Sequence, residues 1–303
     1  MPNKDLSEKT LIGINEVFAD IFNVLGFKEE LIKEEDLKDA PVVNAYKEND
    51  SLHGLYSDVS KYYNNGQLTI ALLNIENQSK IDKDMPLRII GYEGAKYNYQ
   101  LISGKQRYPV ASLILNFDIK KRWSKPLRLK ECFEIPEKLD HLVNDYKLNV
   151  IDVAFLEEED IDKFKSDFKA IADYFVQLQN NNTYNPHKNE ILLKYPVQTL
   201  TALQEITGDK RIMKVYNEDV RKNKEGAYMY SVYDQMVQKG IEQGIEKGIE
   251  QGIDKGKIIA YKTIALNMFK MGMDIDKITI AVGQDINTIK KWLAEKDDDI
   301  DKF

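Results

Sequence analysis

Cysteine is almost absent: Cys132 stands alone among 303 residues, so no disulfide can form within the chain. Histidine is nearly as scarce. His53, His141 and His187 lie far apart and offer no zinc-ligand spacing. No apolar run approaches the roughly 20 residues that span a bilayer. No basic leader followed by an apolar stretch opens the sequence. These absences predict a protein of a reducing, cytoplasmic compartment, with no membrane segment. Nucleotide-binding glycine loops and the Gly-x-Ser-x-Gly elbow of esterases are missing as well. A strongly basic balance is also lacking. The formal net charge is −7, which argues against a uniformly basic, nucleic-acid-coating surface and leaves room for a local basic cleft.

What is present is a core and a pattern. Hydrophobic residues make up 43% of the chain, enough to bury a substantial interior. Leu11, Ile14, Val17, Phe18, Ile21, Phe22, Val24 and Leu25 recur at helical spacing and predict a helix over 7–27. Residues 28–52 read as polar and loop-rich. Two strands follow, Leu55 to Tyr63 and Leu68 to Gln78, with a turn signal at Asn64-Asn65-Gly66. A helix over 85–103 begins with Pro86 in its first turn and ends at Gly104. Tyr108 to Phe117, Leu127 to Phe133 and Asn149 to Leu156 read as strands, and 158–180 as an amphipathic helix. The order predicts an α/β domain with a mixed sheet flanked by helices over 7–225.

The remainder is different in kind. From Gly240 to Gly256 the chain repeats Gly-Ile-Glu/Asp-Gln/Lys with a period of four. On a helix that step advances roughly 40° past a full turn, so glycines and isoleucines form adjacent winding stripes. Each glycine costs about 1 kcal/mol against alanine in a helix interior. Close approach of a second helix along the glycine stripe offsets that cost, and predicts a homo-oligomer built through 236–258; a nascently helical linker is the alternative. The segment 226–258 is thus a repeat helix or linker. A small helical element follows over 259–296, in which Ile275, Ile278, Val282, Gly283, Ile289 and Trp292 are spaced as in a helix-turn-helix. The chain from Gly226 onward is not basic, so a cap or dimerisation role stands beside DNA reading for this element.

The chemistry-bearing candidates sit on the predicted hairpin. If the loop is only Asn65-Gly66, Asp58 falls opposite Leu73, and Glu76 points to the other face. If the loop is odd and centred near Gln67, Asp58 falls opposite Glu76, with Gln78 one step further on the same face. Cross-strand Cβ atoms are then about 5 Å apart. Two readings stay open at this stage: a divalent cation such as Mg²⁺ or Mn²⁺ between the carboxylates, or a salt bridge from one of them to Lys61 or Arg88. Further along, Lys120 to Lys130 holds six basic residues in eleven, around Trp123. Arg122 and Trp123 there are candidates for phosphate contact and base stacking, against the alternative of a solvated loop with a buried tryptophan.

The run Ile75-Glu76-Asn77-Gln78-Ser79, then Asp82 to Arg88, then Gly91-Tyr92, resembles the Rpn family of recombination-promoting nucleases, which also carries the name transposase. Glu16 to Asn23, Asp58 to Tyr62, Tyr108-Pro109-Val110 and Phe164 to Phe168 resemble the same family, so the similarity runs from about 10 to 180. The resemblance implies a PD-(D/E)xK fold with a C-terminal helical extension, DNA as partner, Mg²⁺ or Mn²⁺ as cofactor, and endonuclease activity linked to recombination or transposition. It assigns Asp58 and Glu76 as metal-holding acids and Gln78 to the position usually held by lysine. Asp20, or less favourably Glu16, completes the metal shell from the first helix. Arg88 ranks first and Lys61 second as phosphate contacts. Two departures bear on activity: Ser57 stands where proline precedes the motif aspartate, and Gln78 carries no positive charge. The alternative reading is a weak or inactive nuclease fold that serves as a DNA-binding or oligomeric assembly module.

Overall fold

The computed structural model describes residues 11–40, 43–48, 51–56, 58–65, 68–104, 106–188, 190–220 and 227–294. They form two compact units, one reaching to Met236 and the other beginning at Val237.

The first unit is built on a five-stranded mixed sheet. Its strands are β1 (Leu37–Asp39), β4 (Val59–Asn65), β5 (Leu68–Gln78), β6 (Val110–Asn116) and β7 (Val150–Asp152), in that spatial order. The β1–β4 and β4–β5 pairs are antiparallel, and β5–β6 and β6–β7 are parallel. Two further strands, β2 (Val43–Glu48) and β3 (Ser51–Tyr56), make a separate antiparallel ribbon. The predicted strand Leu55 to Tyr63 is therefore two strands, its first residues belonging to the ribbon and the rest to the main sheet. The loop-rich reading of 28–52 likewise gives way to β1, β2 and the start of β3.

One face of the sheet carries Val59, Leu73, Ile75, Leu113 and Leu115 and packs against α1 (Asn15–Ile21), the π-helical turn Phe22–Phe27 that continues it, and α4 (Phe168–Asn181). This is the main core. The other face is covered by α2 (Met85–Ser103), which joins β5 to β6 as the parallel topology requires. Its bounds are those predicted, and Gly104 closes it at φ 63°, a conformation that costs glycine little.

Two expected elements give way to side-chain capping. Leu127 to Phe133 is not a strand but contains a 3₁₀ turn, Leu129–Cys132, because Glu131 Oε2 accepts the amides of Leu127 and Arg128 at 2.6 and 3.2 Å. The helix expected over 158–180 is split into α3 (Glu158–Lys163) and α4. At the break Asp20 Oδ2 accepts the amides of Lys165 and Ser166 at 3.0 and 2.7 Å. Strand β7 stops at Asp152 and passes into a 3₁₀ turn. The expected helices of 190–225 are α5 (Pro196–Thr207) and α6 (Arg211–Val215), followed by a π turn; the short strands β8 (Leu192–Leu193) and β9 (Ala227–Tyr228) pair beside them.

The helix α7 (Met229–Lys270) begins in the first unit, where Met229 and Val232 are fully buried, and carries the whole repeat. In the second unit α7 is followed by α8 (Ile275–Val282) and α9 (Ile286–Ala294). Ala265, Ile278, Val282, Ile289 and Trp292 form this unit's own core, and Gly283 turns the chain between the last two helices at φ 70°. Among the described residues no helix is long and apolar enough to cross a membrane.

Candidate functional site

Asp58 and Glu76 meet at one end of the central hairpin. The β4–β5 register pairs Val59 with Ile75, so the next pair along is Asp58 with Glu76. The odd register arises differently from the expected odd loop. Asn65 pairs with Leu68, and Asn64 with Thr69, which by itself is an even, two-residue connection. A register shift then leaves Ile70 unpaired, because Tyr63 faces Ala71. This β-bulge supplies the single extra residue that puts both acids on one face.

The two carboxylates are laced into the strands. Glu76 Oε1 accepts the amide of Asp58 at 3.1 Å, and Asp58 Oδ2 accepts the amide of Asn77 at 2.8 Å. Glu76 is 1% exposed and Asp58 half-buried. Gln78 follows on the same face and is half-buried; its backbone lies opposite Asn116 of β6.

Helix α2 lies over this face. Its buried stripe is Met85, Ile89, Tyr92, Glu93, Lys96 and Gln100, apolar at the start and polar from Glu93 onward. The apolar part packs on Ile114, Trp123 and Leu148. The polar part meets a row of polar residues on the strands. Lys96 Nζ donates to Ser60 Oγ at 2.7 Å, Ser60 Oγ to Asn74 Oδ1 at 2.7 Å, Asn74 Nδ2 to Ser112 Oγ at 3.1 Å, and Ser112 Oγ to Glu93 Oε1 at 2.8 Å. Every member is buried. Ser60 and Asn74 are the pair two residues along from Asp58 and Glu76, on the same face. Burial pushes the Lys96 ammonium down to about 8, against the pull of Glu76 and Glu93, and burial pushes the Glu93 carboxyl up.

Arg88, one turn into α2, is held by Asp82 at 2.7 Å and by the Tyr92 hydroxyl at 3.2 Å. Burial opposes its charge, but these partners and the field of Glu76 raise its pKa above the usual arginine value. Burial raises the Tyr92 phenol, and the charges of Glu76 and Asp58 add to that. Arg88 is thus near enough to Glu76 to feel its charge, while its bonds go to Asp82 and Tyr92.

Other expected residues are engaged elsewhere. Asp20 is occupied by the Lys165 and Ser166 amides, and among the described residues no three His, Cys, Asp or Glu side chains gather to hold a metal. Glu16 pairs with Lys194 and the Tyr195 hydroxyl instead. Lys61 points to the opposite face, as its odd offset from Asp58 dictates. It is 1% exposed, bound to Asp39 and 5.8 Å from the Phe18 ring centre. Trp123 is a core residue whose indole donates to the Pro126 carbonyl at 2.9 Å, so it is not a stacking platform. Arg122 is exposed and lies over the Phe155 ring at 4.7 Å, while Lys125, Arg128 and Lys130 around it pair with Glu131, Asp145 and Asp140.

Residues 19–205 match the family model described as "Putative transposase, YhgA-like". The chain belongs to this family. Membership ties it to transposition or recombination and to interaction with DNA, and the five-stranded mixed sheet with flanking helices is consistent with the PD-(D/E)xK-like fold. Searches of curated proteins and of solved structures return no match.

The sequence reading missed Lys96 and Glu93. A signal for them existed. Both continue the helical stripe that starts at Met85 and Ile89, so a charged residue there is directed at the sheet and not at solvent.

Proposed function

We propose that the protein is a metal-dependent DNA endonuclease that hydrolyses phosphodiester bonds at the Asp58–Glu76 end of the sheet, in the service of transposition or recombination. The observation that carries this reading is the pairing of two acids across β4 and β5, one of them almost fully buried. A buried carboxylate beside another is costly unless cations compensate. Mg²⁺ commonly takes one or two carboxylates and completes its shell with water and phosphate, so Asp58 and Glu76 fit it without a third acid.

Bound there, Mg²⁺ or Mn²⁺ supplies an activated water and offsets phosphate charge. The chain's own residues hold and orient. Asp58 and Glu76 would hold the ion, each fixed by the other strand's backbone. Gln78 is placed to orient a water or a phosphate oxygen through its carboxamide. Arg88 offers a guanidinium to the DNA backbone from the start of α2, where α2 passes Glu76.

Plasmid cleavage by the purified full chain in Mg²⁺ or Mn²⁺ tests the reading. Wild type is expected to nick or cut, and Asp58→Asn to lose activity by about a hundredfold or more, since such ions contribute several kcal/mol. Equal rates for the two proteins, or no cleavage by either, overturn it. The competing reading, an inactive nuclease fold used for DNA binding or assembly, draws support from Gln78. Mn²⁺ binding that disappears in Glu76→Ala counts against it.

Self-association through 236–258 is part of the same proposal. Val237, Ile241, Ile245, Ile249 and Ile253 are each more than half exposed along α7, and a side chain added at any of the repeat glycines meets nothing within 4 Å. An isoleucine ridge beside a glycine groove on one helix is self-complementary in the ridges-into-grooves sense.

A further inference from the structure

We propose that Lys96 is the positioning residue of the acid pair: its buried ammonium, aimed by the chain Ser60–Asn74–Ser112–Glu93, provides from helix α2 the positive charge that Gln78 does not carry, and orients Glu76. The inference rests on the nuclease reading and deepens it.

Three observations converge. The first is placement. Lys96 donates to Ser60 at 2.7 Å, and Ser60 lies two residues from Asp58 on the same face. The second is direction. Each hydroxyl or amide in the chain donates onward, from the ammonium to Ser60, to Asn74, to Ser112 and finally to the Glu93 carboxylate. A chain with a cation at one end and a carboxylate at the other is polarised one way, which fixes the rotamers of all five residues. Glu93 and Lys96 are three residues apart on α2, so the helix itself closes the circuit. The third is burial. Lys96 is 4% exposed and Glu93 5% exposed, so neither can serve the surface. A lysine there acts on what lies beside it, and Glu76 is close enough to bear on it electrostatically. Gln78, at the far end of the same strand face, brings no charge. The lysine's role is thus supplied by a different element, one that packs across the strand instead of belonging to it.

The role differs from a purely structural one. A buried cation beside Glu76 competes with the metal for the carboxylate's field, and its removal leaves a more negative pocket with a less constrained Glu76. Mn²⁺ binding and cleavage should therefore move in opposite directions. The test uses the full chain as wild type, Asp58→Asn, Lys96→Met, Lys96→Arg and Glu93→Gln. Mn²⁺ affinity is read by electron paramagnetic resonance, and kcat and KM by cleavage of a linear duplex. Lys96→Met is expected to bind Mn²⁺ at least about tenfold more tightly, from the lost repulsion, and to lose kcat at least about tenfold with KM for DNA little changed. Lys96→Arg is expected to recover most of kcat. Glu93→Gln keeps Lys96 and the packing, and is expected to lower kcat several-fold; it carries the test if Lys96→Met fails to fold. Lys96→Met with wild-type Mn²⁺ affinity and kcat overturns the proposal, as does Glu93→Gln with wild-type kcat should Lys96→Met not fold. A wild type that neither binds Mn²⁺ nor cleaves, and so cannot be told from Asp58→Asn, overturns the nuclease reading and this role with it.

Discussion

Asp58 and Glu76 hold one another through the backbone: the Glu76 carboxylate accepts the amide of Asp58 at 3.1 Å, and the Asp58 carboxylate accepts the amide that follows Glu76 at 2.8 Å. The two acids are thus fastened in place by backbone amides across the strand pair. On the proposed metal reading, such preorganisation removes the cost of gathering ligands at the moment of binding.

It also separates two roles of Asp58. Asp58→Ala leaves the amide of Asn77 without its acceptor, a loss of about 1–3 kcal/mol. Asp58→Asn keeps an acceptor oxygen and removes the charge. Urea unfolding should place Asp58→Asn within about 0.5 kcal/mol of wild type and Asp58→Ala clearly below it, while both lose cleavage. Identical midpoints for the two variants contradict the clasp.

Lys96 gives stability a pH signature. Its folded value, about 8, lies below the ordinary lysine value of 10.5. Between these pH values the unfolded chain binds more protons than the folded one, so this group's contribution to stability rises with pH across that window. Below pH 8 the ammonium is charged in both states and its burial penalty is fully present. Wild type should therefore gain on Lys96→Met between about pH 8 and 10.5, by at most about 1.4 kcal/mol per pH unit. Parallel pH dependences of the two urea midpoints dismiss the idea.

Trp123, a stacking candidate with burial as its alternative, lies in the core, packed with Met85, Ile89 and Ile114. Trp123→Phe removes the indole bond to Pro126 and some volume, at about 1–3 kcal/mol. DNA affinity of the folded variant, measured by fluorescence anisotropy without divalent metal, should equal that of wild type. A severalfold loss restores the stacking role.

The repeat offers a test through glycine. On a solitary helix, Gly244→Ala and Gly248→Ala each stabilise by about 0.5–1 kcal/mol, because the positions are open. If a second copy of α7 lies along the groove, the added methyls hold it off. Light scattering of the double variant should report a smaller assembly than wild type, with α7 more helical by circular dichroism. An unchanged mass for the double variant, and likewise for Ile245→Ser with Ile249→Ser, removes self-association through this helix.

Much of this architecture can be read from side-chain order alone, and the exceptions share a cause. The strand Leu68 to Gln78 and the helix 85–103 announce themselves through an apolar run with Thr69, Ile70 and Ile75, an early proline and a closing glycine. The facing of Asp58 and Glu76 followed from strand parity only on condition of one extra residue at the tip, which the bulge at Ile70 supplies. What escaped were the places where a side-chain carboxylate takes over backbone amides: Asp20 breaking 158–180 into two helices from far away in the chain, and Glu131 curling 127–133 from within it. Hydrophobic periodicity carries no trace of either kind of capture. Lys61, ranked below Arg88 as a phosphate contact, and Trp123, for which a buried indole stood as the alternative, both lie buried, because a lysine stem or an indole with one polar tip can be buried once that tip is satisfied.

The bulge at Ile70 bears on which changes of chain length this hairpin can survive. Loss of residue 70 would turn the connection into a regular two-residue hairpin, and every pair on either side, Asp58 with Glu76 included, would stay where it is. Loss of one residue between Ala71 and Ile75 with the bulge kept would instead exchange the inward and outward sides of the rest of β5, and keeping the site would require giving up the bulge and turning over the residues between it and the deletion. The tip is therefore a length buffer and the strand beyond it is not. A deletion scan across 68–75 should be most permissive at 68, 69 and 70, where any one loss leaves Tyr63 facing Ala71 and the site in place.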